Sequence, residues 1–132
     1  MANPSLLNKL RLKLGQRILL LNPPVNFLKG LGDVPQGMQL DSTPEGEYDA
    51  VILFIKDGLE MERFKSVALE AIRYDGLLWI SYPKGSSKVK TDLSRDILWE
   101  KMADTDWRPV SLISIDETWS AMRFRPAEVV GR

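Results

Sequence analysis

The chain contains no cysteine and no histidine, and its 18 basic and 18 acidic residues sum to zero charge. Each absence removes a class of chemistry. Without cysteine there is no disulfide framework and no thiol nucleophile. Without either residue there is no zinc finger, no imidazole-ligated metal and no Ser-His-Asp triad. Balanced charge argues against a chain-wide nucleic-acid footprint, which needs a basic excess on one face. Long apolar runs are also missing: Ile18 to Leu21 is cut off by Asn22 and Pro23, far short of the roughly 20 residues of a spanning helix. The expectation is a cytoplasmic protein with no membrane association and no metal, whose chemistry is confined to Asp, Glu, Lys, Ser, Thr, Tyr and the backbone.

What is present suffices for one domain. A chain of 132 residues that is 44% hydrophobic buries a core without staples, and no linker, repeat or low-complexity tract divides residues 1–132. The zero charge is a sum of unequal parts. Residues 1–32 carry Lys9, Arg11, Lys13, Arg17 and Lys29 and no acid, whereas 33–63 carry eight acids against Lys56 and Arg63.

Hydrophobic spacing predicts the elements. Leu7, Leu10 and Leu14, closed by Gly15, suggest a short amphipathic helix from Pro4 to Leu14. Ile18 to Leu21 and Val51 to Ile55 are continuous apolar runs, the mark of strands buried on both faces. Asp57 and Glu60 form a capping-box-like pair before a helix with Met61, Phe64, Ala68, Ala71 and Ile72 on one stripe, ended by Asp75 and Gly76. Leu77 to Tyr82 follows as a third buried strand, so 51–82 reads as a β-α-β unit. A loop from Pro83 to Thr91 precedes a helix over 92–103, capped by Thr91 or Asp92, and 110–115 and 119–125 alternate as an antiparallel hairpin around Asp116 and Glu117. Residues 38–42 read as a short strand. The seven residues Thr43 to Asp49 span about 23 Å when extended, too little for a helical crossover, which makes that strand an edge piece or antiparallel to its neighbour.

The expected fold is therefore α/β, three-layered and Rossmann-like, a mostly parallel sheet with a C-terminal antiparallel hairpin. This order resembles the class I S-adenosylmethionine-dependent methyltransferase fold in truncated form, with 18–22, 51–55, 77–82, 110–115 and 119–125 standing for its first, fourth, fifth, sixth and seventh strands. The phrases from Gly15 to Pro24 (GQRILLLNPP), Leu78 to Ser87 (LWISYPKGSS), Thr91 to Asp96 (TDLSRD) and Asp116 to Phe124 (DETWSAMRF) are similar to a family of small bacterial proteins, a domain of unknown function. The resemblance implies a fold and no activity. Methyltransferases of the class follow their first strand with a glycine-rich turn, and here the turn is Asn22-Pro23-Pro24, with no glycine before Gly30. Two prolines remove donors and fix φ, and the expectation drawn from them is that no cofactor binds, S-adenosylmethionine included.

Two constellations carry candidate function. Asn22 and Tyr82, with the loop residues Lys84, Ser86, Ser87, Lys88, Lys90 and Thr91, stand at strand carboxyl ends, where open α/β sheets bind ligands. Lysines, hydroxyls and a helix N-terminus there suit an anionic ligand, although the loop lacks the phosphate-loop spacing. Trp119, Arg123 and Arg125 share one face of the hairpin and suit a carboxylate or a protein partner, with homodimerisation through the hairpin as a further expectation; Arg123 paired to Glu117 or Asp116 is the structural alternative. The functional expectation is a non-catalytic ligand- or partner-binding domain. The alternative is an enzyme acting on a phosphorylated or nucleotide-like substrate, a residual methyltransferase among them.

Overall fold

The two apolar runs become neighbouring parallel strands because each can be covered on both faces. The structure, a computed structural model that describes residues 4–31 and 36–130, pairs β1 (Arg17–Leu21) with β3 (Tyr48–Phe54), Leu19 lying opposite Val51. Alternate residues enter two separate cores. Leu19, Leu21, Val51 and Leu53 pack on one side under α3 (Gly58–Ala71) and α4 (Arg95–Met102), through Met61, Ala68, Leu98 and Met102. Ile18, Leu20, Ala50, Ile52 and Phe54 pack on the other under α1 (Pro4–Lys9) and α2 (Val25–Leu31), through Leu6, Leu10, Phe27 and Leu31. The molecule thus has three layers, helices on both faces of one sheet.

The sheet has six strands in the order β2-β1-β3-β4-β6-β5. β4 (Ile72–Pro83) runs parallel to β3, and the hairpin of β5 (Trp107–Ser114) and β6 (Trp119–Pro126) closes the sheet antiparallel to β4, Ile80 facing Met122. A single turn of 3-10 helix, Ala127–Val129, follows. β2 (Gln39–Asp41) is an edge strand parallel to β1, so of the two alternatives for 38–42 the edge piece holds. The chain then recrosses β1 without a helix. Among the described residues no helix is long and apolar enough to cross a membrane.

Three boundaries differ from the pattern-based reading. α1 stops at Lys9 rather than near Leu14. Leu12 N–H bonds to Leu7 C=O and Arg11 N–H to Asn8 C=O, a Schellman closure with Arg11 at φ 60°. Leu12 thereby enters the core and Leu14 is left exposed. α3 ends at Ala71, not at Asp75 and Gly76, because Ile72 is already extended and begins β4. Gly76 marks a register irregularity there instead: a Cβ would stand 2.9 Å from the Asp49 carbonyl oxygen and 2.8 Å from Ile72 Cδ1. α4 begins at Arg95, capped by Ser94 Oγ, which accepts from Ile97 N–H. Thr91 Oγ1 accepts from Leu93 N–H and Asp92 turns to another helix, so neither caps α4. Gly32 and Pro35, which together with Gly37 read from the sequence as a loop, lie outside the described residues.

Candidate functional site

The carboxyl ends of β1, β3 and β4 open on one edge of the sheet, and the β5–β6 turn joins them there because β6 begins beside Pro83. β1 ends at Asn22, which takes φ 56°, a left-handed conformation that asparagine tolerates better than most residues. Its Nδ2 donates to the Phe54 carbonyl at 2.9 Å and so ties the end of β1 to the end of β3. Pro24 stands at the start of α2, and its carbonyl accepts from the N–H groups of Phe27 and Leu28. Beneath this turn three aromatic rings pack in series, Phe27 on Phe54 at 4.7 Å and Phe54 edge-on to Trp119 at 5.1 Å.

The loop after β4 is drawn toward the hairpin. Lys84 N–H donates to the Thr118 carbonyl at 2.7 Å, and Lys84 Nζ donates to Ser114 Oγ at 2.6 Å. From the opposite side Lys9 Nζ donates to the Ser114 carbonyl at 3.0 Å. Asp116 shapes the turn: its Oδ1 accepts from the N–H groups of Thr118 and Trp119, both at 2.8 Å. Between α1, α2 and this turn lies a cavity of about 230 Å³, lined by Ser5, Leu6, Lys9, Asn26, Phe27, Gly30, Ile115 and Asp116. A lysine and an aspartate thus face one concavity beside an aromatic floor.

The residues singled out from sequence separate into groups. Asn22 and Lys84 border this end of the sheet. Tyr82 is buried in the core under α4, and burial pushes its phenol pKa up. Ser87 Oγ donates to the Lys84 carbonyl and Thr91 is engaged by Leu93, while Ser86, Lys88 and Lys90 are exposed. Trp119 packs in the aromatic series. Arg125 lies at the other end of β6, where its Nε and Nη2 grip the two oxygens of Asp75 at 2.9 and 2.8 Å. Arg123 makes no ion pair with Glu117 or Asp116, and its Nε is buried without an acceptor among the described residues. The sequence reading passes over Lys9 as a site residue and takes Asp116 as part of the acidic turn beside Trp119. The basic N-terminal segment signalled Lys9, but its meeting with a turn 107 residues later has no local sequence mark.

Asp41, at the end of the edge strand, is already engaged. It accepts from the Tyr48 hydroxyl at 2.5 Å and lies 3.6 Å from Arg17, and the Tyr48 hydrogen bond first, then those from Gln39 and Arg17, hold its carboxyl below the usual range. Among the described residues no group of three or more carboxylates is placed to hold a metal.

No protein-family model matches the chain, and no curated protein sequence matches it. Solved structures do share its fold. A Haemonchus contortus phosphoethanolamine N-methyltransferase 2, solved with phosphomonomethylethanolamine and S-adenosylhomocysteine, superposes with a TM-score of 0.61 at 13% identity, over 96% of this chain and 38% of that protein's. The DhpI–SAH complex gives 0.55 at 14% identity, over 93% and 83% of the two chains. A fibrillarin/Nop5p complex gives 0.55 at 11% identity, over 87% and 74%.

These neighbours correct the expectation that no cofactor binds. Two of the three were solved with S-adenosylhomocysteine, and the Haemonchus enzyme was also solved with S-adenosyl-L-methionine. The ground for that expectation fails as well. Asn22 supplies the left-handed residue that the turn needs, and a proline at a helix start gives up an N–H that has no intrahelical partner there. What the sequence order and the superpositions jointly establish is the fold: the chain has a methyltransferase-like, Rossmann-type α/β architecture.

Proposed function

We propose that the chain is a binding domain of methyltransferase-like fold whose ligand is of the S-adenosylmethionine class, with the ligand's amino-acid end in the cavity beside α1. The observation that carries this is the pairing of Lys9 and Asp116 across one concavity at the carboxyl ends of the strands. A zwitterionic amino acid needs a cation for its carboxylate and an anion for its ammonium. Lys9 has spent one donor on the Ser114 carbonyl and keeps others, and only Oδ1 of Asp116 is spent on the turn. The sulfonium of such a ligand also favours aromatic surroundings, and Phe27 lines the same cavity.

In this reading Asn22 holds the turn that borders the ligand. Lys84 is a positioning residue, which fixes Ser114 and through it the Lys9 ammonium.

Calorimetric titration with S-adenosylmethionine and S-adenosylhomocysteine tests the reading. Binding of both is expected in the wild type, and Lys9→Ala and Asp116→Ala should each weaken it about tenfold, the loss of one charge-assisted hydrogen bond. Absence of binding to both ligands at millimolar concentration overturns it.

A further inference from the structure

The opposite end of the sheet carries a second concavity that the proposed ligand does not reach. At the amino-terminal ends of the parallel strands, on the α1 face, a cavity of about 460 Å³ is lined by Arg11, Lys13, Gln16, Arg73, Asp75 and Leu77 among others. Arg125 is anchored on Asp75, and Arg73 on Asp49 at 3.0 Å. Arg123 stands two residues from Arg125 on the same face of β6, opposite Trp79. The Trp79 indole donates to the Leu10 carbonyl, next in chain to Arg11. Two carboxylates, Asp49 and Asp75, thus stand against five cations, of which Arg11, Lys13 and Arg73 line the cavity and Arg123 and Arg125 lie beside it.

Three of those cations are held in no ion pair among the described residues, although the Asp75 carboxylate partly offsets Arg123. Among the described residues neither Arg11 nor Lys13 has a side-chain hydrogen bond or ion pair, and Arg123 Nε is buried without an acceptor. Arg123 is close enough to Arg11 and Arg125 for their charges to oppose its own, after burial the largest influences on it. Like charges brought together in a half-enclosed site repel unless an anion joins them.

The backbone points the same way. Arg11 occupies the closing position of a Schellman motif at φ 60°, where glycine fits without strain and a side chain does not. Asp75, at φ 54°, is left-handed as well, a conformation that aspartate accepts more readily than arginine does. Both line this cavity, and with Asn22 they are the three non-glycine residues of positive φ among those described. Strain of this kind persists where a side chain is needed at that spot.

We propose that this cavity binds a small phosphate-bearing anion, with Arg11 and Lys13 as its direct ligands, Arg73 and the Asp75-anchored Arg125 as the fixed rim, and Arg123 raising the potential behind them. Guanidinium forks and an ammonium converging from different elements suit a multiply charged tetrahedral oxyanion better than a single planar carboxylate.

Inorganic pyrophosphate, titrated into the full chain at low ionic strength and followed by calorimetry, is the probe. Saturable binding is expected at sub-millimolar concentration and should weaken steeply with added salt. Arg11→Gly is the decisive variant, since it relieves the left-handed strain while deleting the ligand. It should lower affinity by about tenfold and leave the thermal midpoint unchanged or raised. Lys13→Ala should weaken binding with no effect on stability, and Lys88→Ala, in the loop at the other end, should change nothing. Absence of pyrophosphate binding at low-millimolar concentration, unchanged affinity in Arg11→Gly, or loss of binding in Lys88→Ala each overturns the proposal. S-adenosylmethionine binding should be the same in Arg11→Gly and wild type, so the two ends of the sheet are tested separately.

Discussion

The carboxylate of Asp92 accepts a hydrogen bond from the Gly58 N–H at 2.8 Å, so the loop that follows β4 is tied to the N-terminus of α3. That terminus already holds Asp57, which accepts from Glu60 N–H, and Glu60, which accepts from Lys56 N–H. Asp92 satisfies a donor that no residue of the helix itself can reach. Asp92→Ala should cost about 1 kcal/mol, the usual worth of a capping carboxylate. Gly58→Ala should destabilise too, because its new Cβ would lie 3.0 Å from Asp92 Oδ2. Urea denaturation of the two single variants and the double variant checks this; the Gly58 effect should shrink once Asp92 is Ala.

Trp79 joins the sheet to the end of α1. Its ring is buried and its Nε1 donates to the Leu10 carbonyl at 3.0 Å, a group that the helix end leaves unpaired. Trp79→Phe keeps an aromatic ring but removes the donor and leaves space. Loss of about 2–4 kcal/mol is expected from the orphaned carbonyl and the cavity together. Hydrogen exchange should place the opening at residues 4–12 before the rest of the chain, since this bond anchors α1.

The same bond explains what the sequence alone conveys. The strands are legible because their apolar runs need no partner to be recognised: Ile18 to Leu21, Val51 to Phe54 and Leu78 to Tyr82 are buried on both faces wherever they pair. Capping by Asp57 and Glu60 is legible because it is local. The true end of α1 depends on Trp79, 69 residues from Leu10, and the start of β4 depends on how closely Gly76 approaches the Asp49 backbone. No local pattern encodes either. The candidate site divides along the same line. Lys84 and Asn22 are legible as strand-end residues, whereas the meeting of Lys9 with Asp116, and of Arg11 with Arg123, exists only after the sheet has formed.

The bidentate pair of Arg125 and Asp75 makes stability depend on pH in acid. Hydrogen bonding from Arg125 is the largest influence on Asp75 and, with the nearby charges of Arg123 and Arg73, holds its carboxyl below the ordinary aspartate value of 3.8. A folded-state pKa below the unfolded one means that the stabilisation is fully present above pH 3.8 and is lost as pH falls through the lower, folded value. Arg125→Met removes the pair. The variant should be less stable than wild type at neutral pH, and the difference should narrow as the solution is taken below that value. Thermal midpoints measured from pH 7 downward check it, at roughly 3–5 °C per kcal/mol for a domain of this size; a difference independent of pH would mean that packing, not charge, links the two residues.

Asn22 separates the conformational role of the β1 turn from its hydrogen bond. The residue is left-handed and its side chain donates to the Phe54 carbonyl. Asn22→Gly removes the bond and also the strain, two effects of opposite sign. Asn22→Ala removes the bond and keeps a Cβ in a conformation that alanine resists, so alanine should be the more destabilising by about 1 kcal/mol. The ligand reading adds a second difference. If the turn only has to be shaped, glycine suffices, and Asn22→Gly should bind S-adenosylmethionine as wild type does, while Asn22→Ala binds more weakly by displacing the ends of β1 and β3. Equal weakening in both variants would instead give the carboxamide itself a contact with the ligand, and the calorimetric titration of the pair distinguishes the two roles.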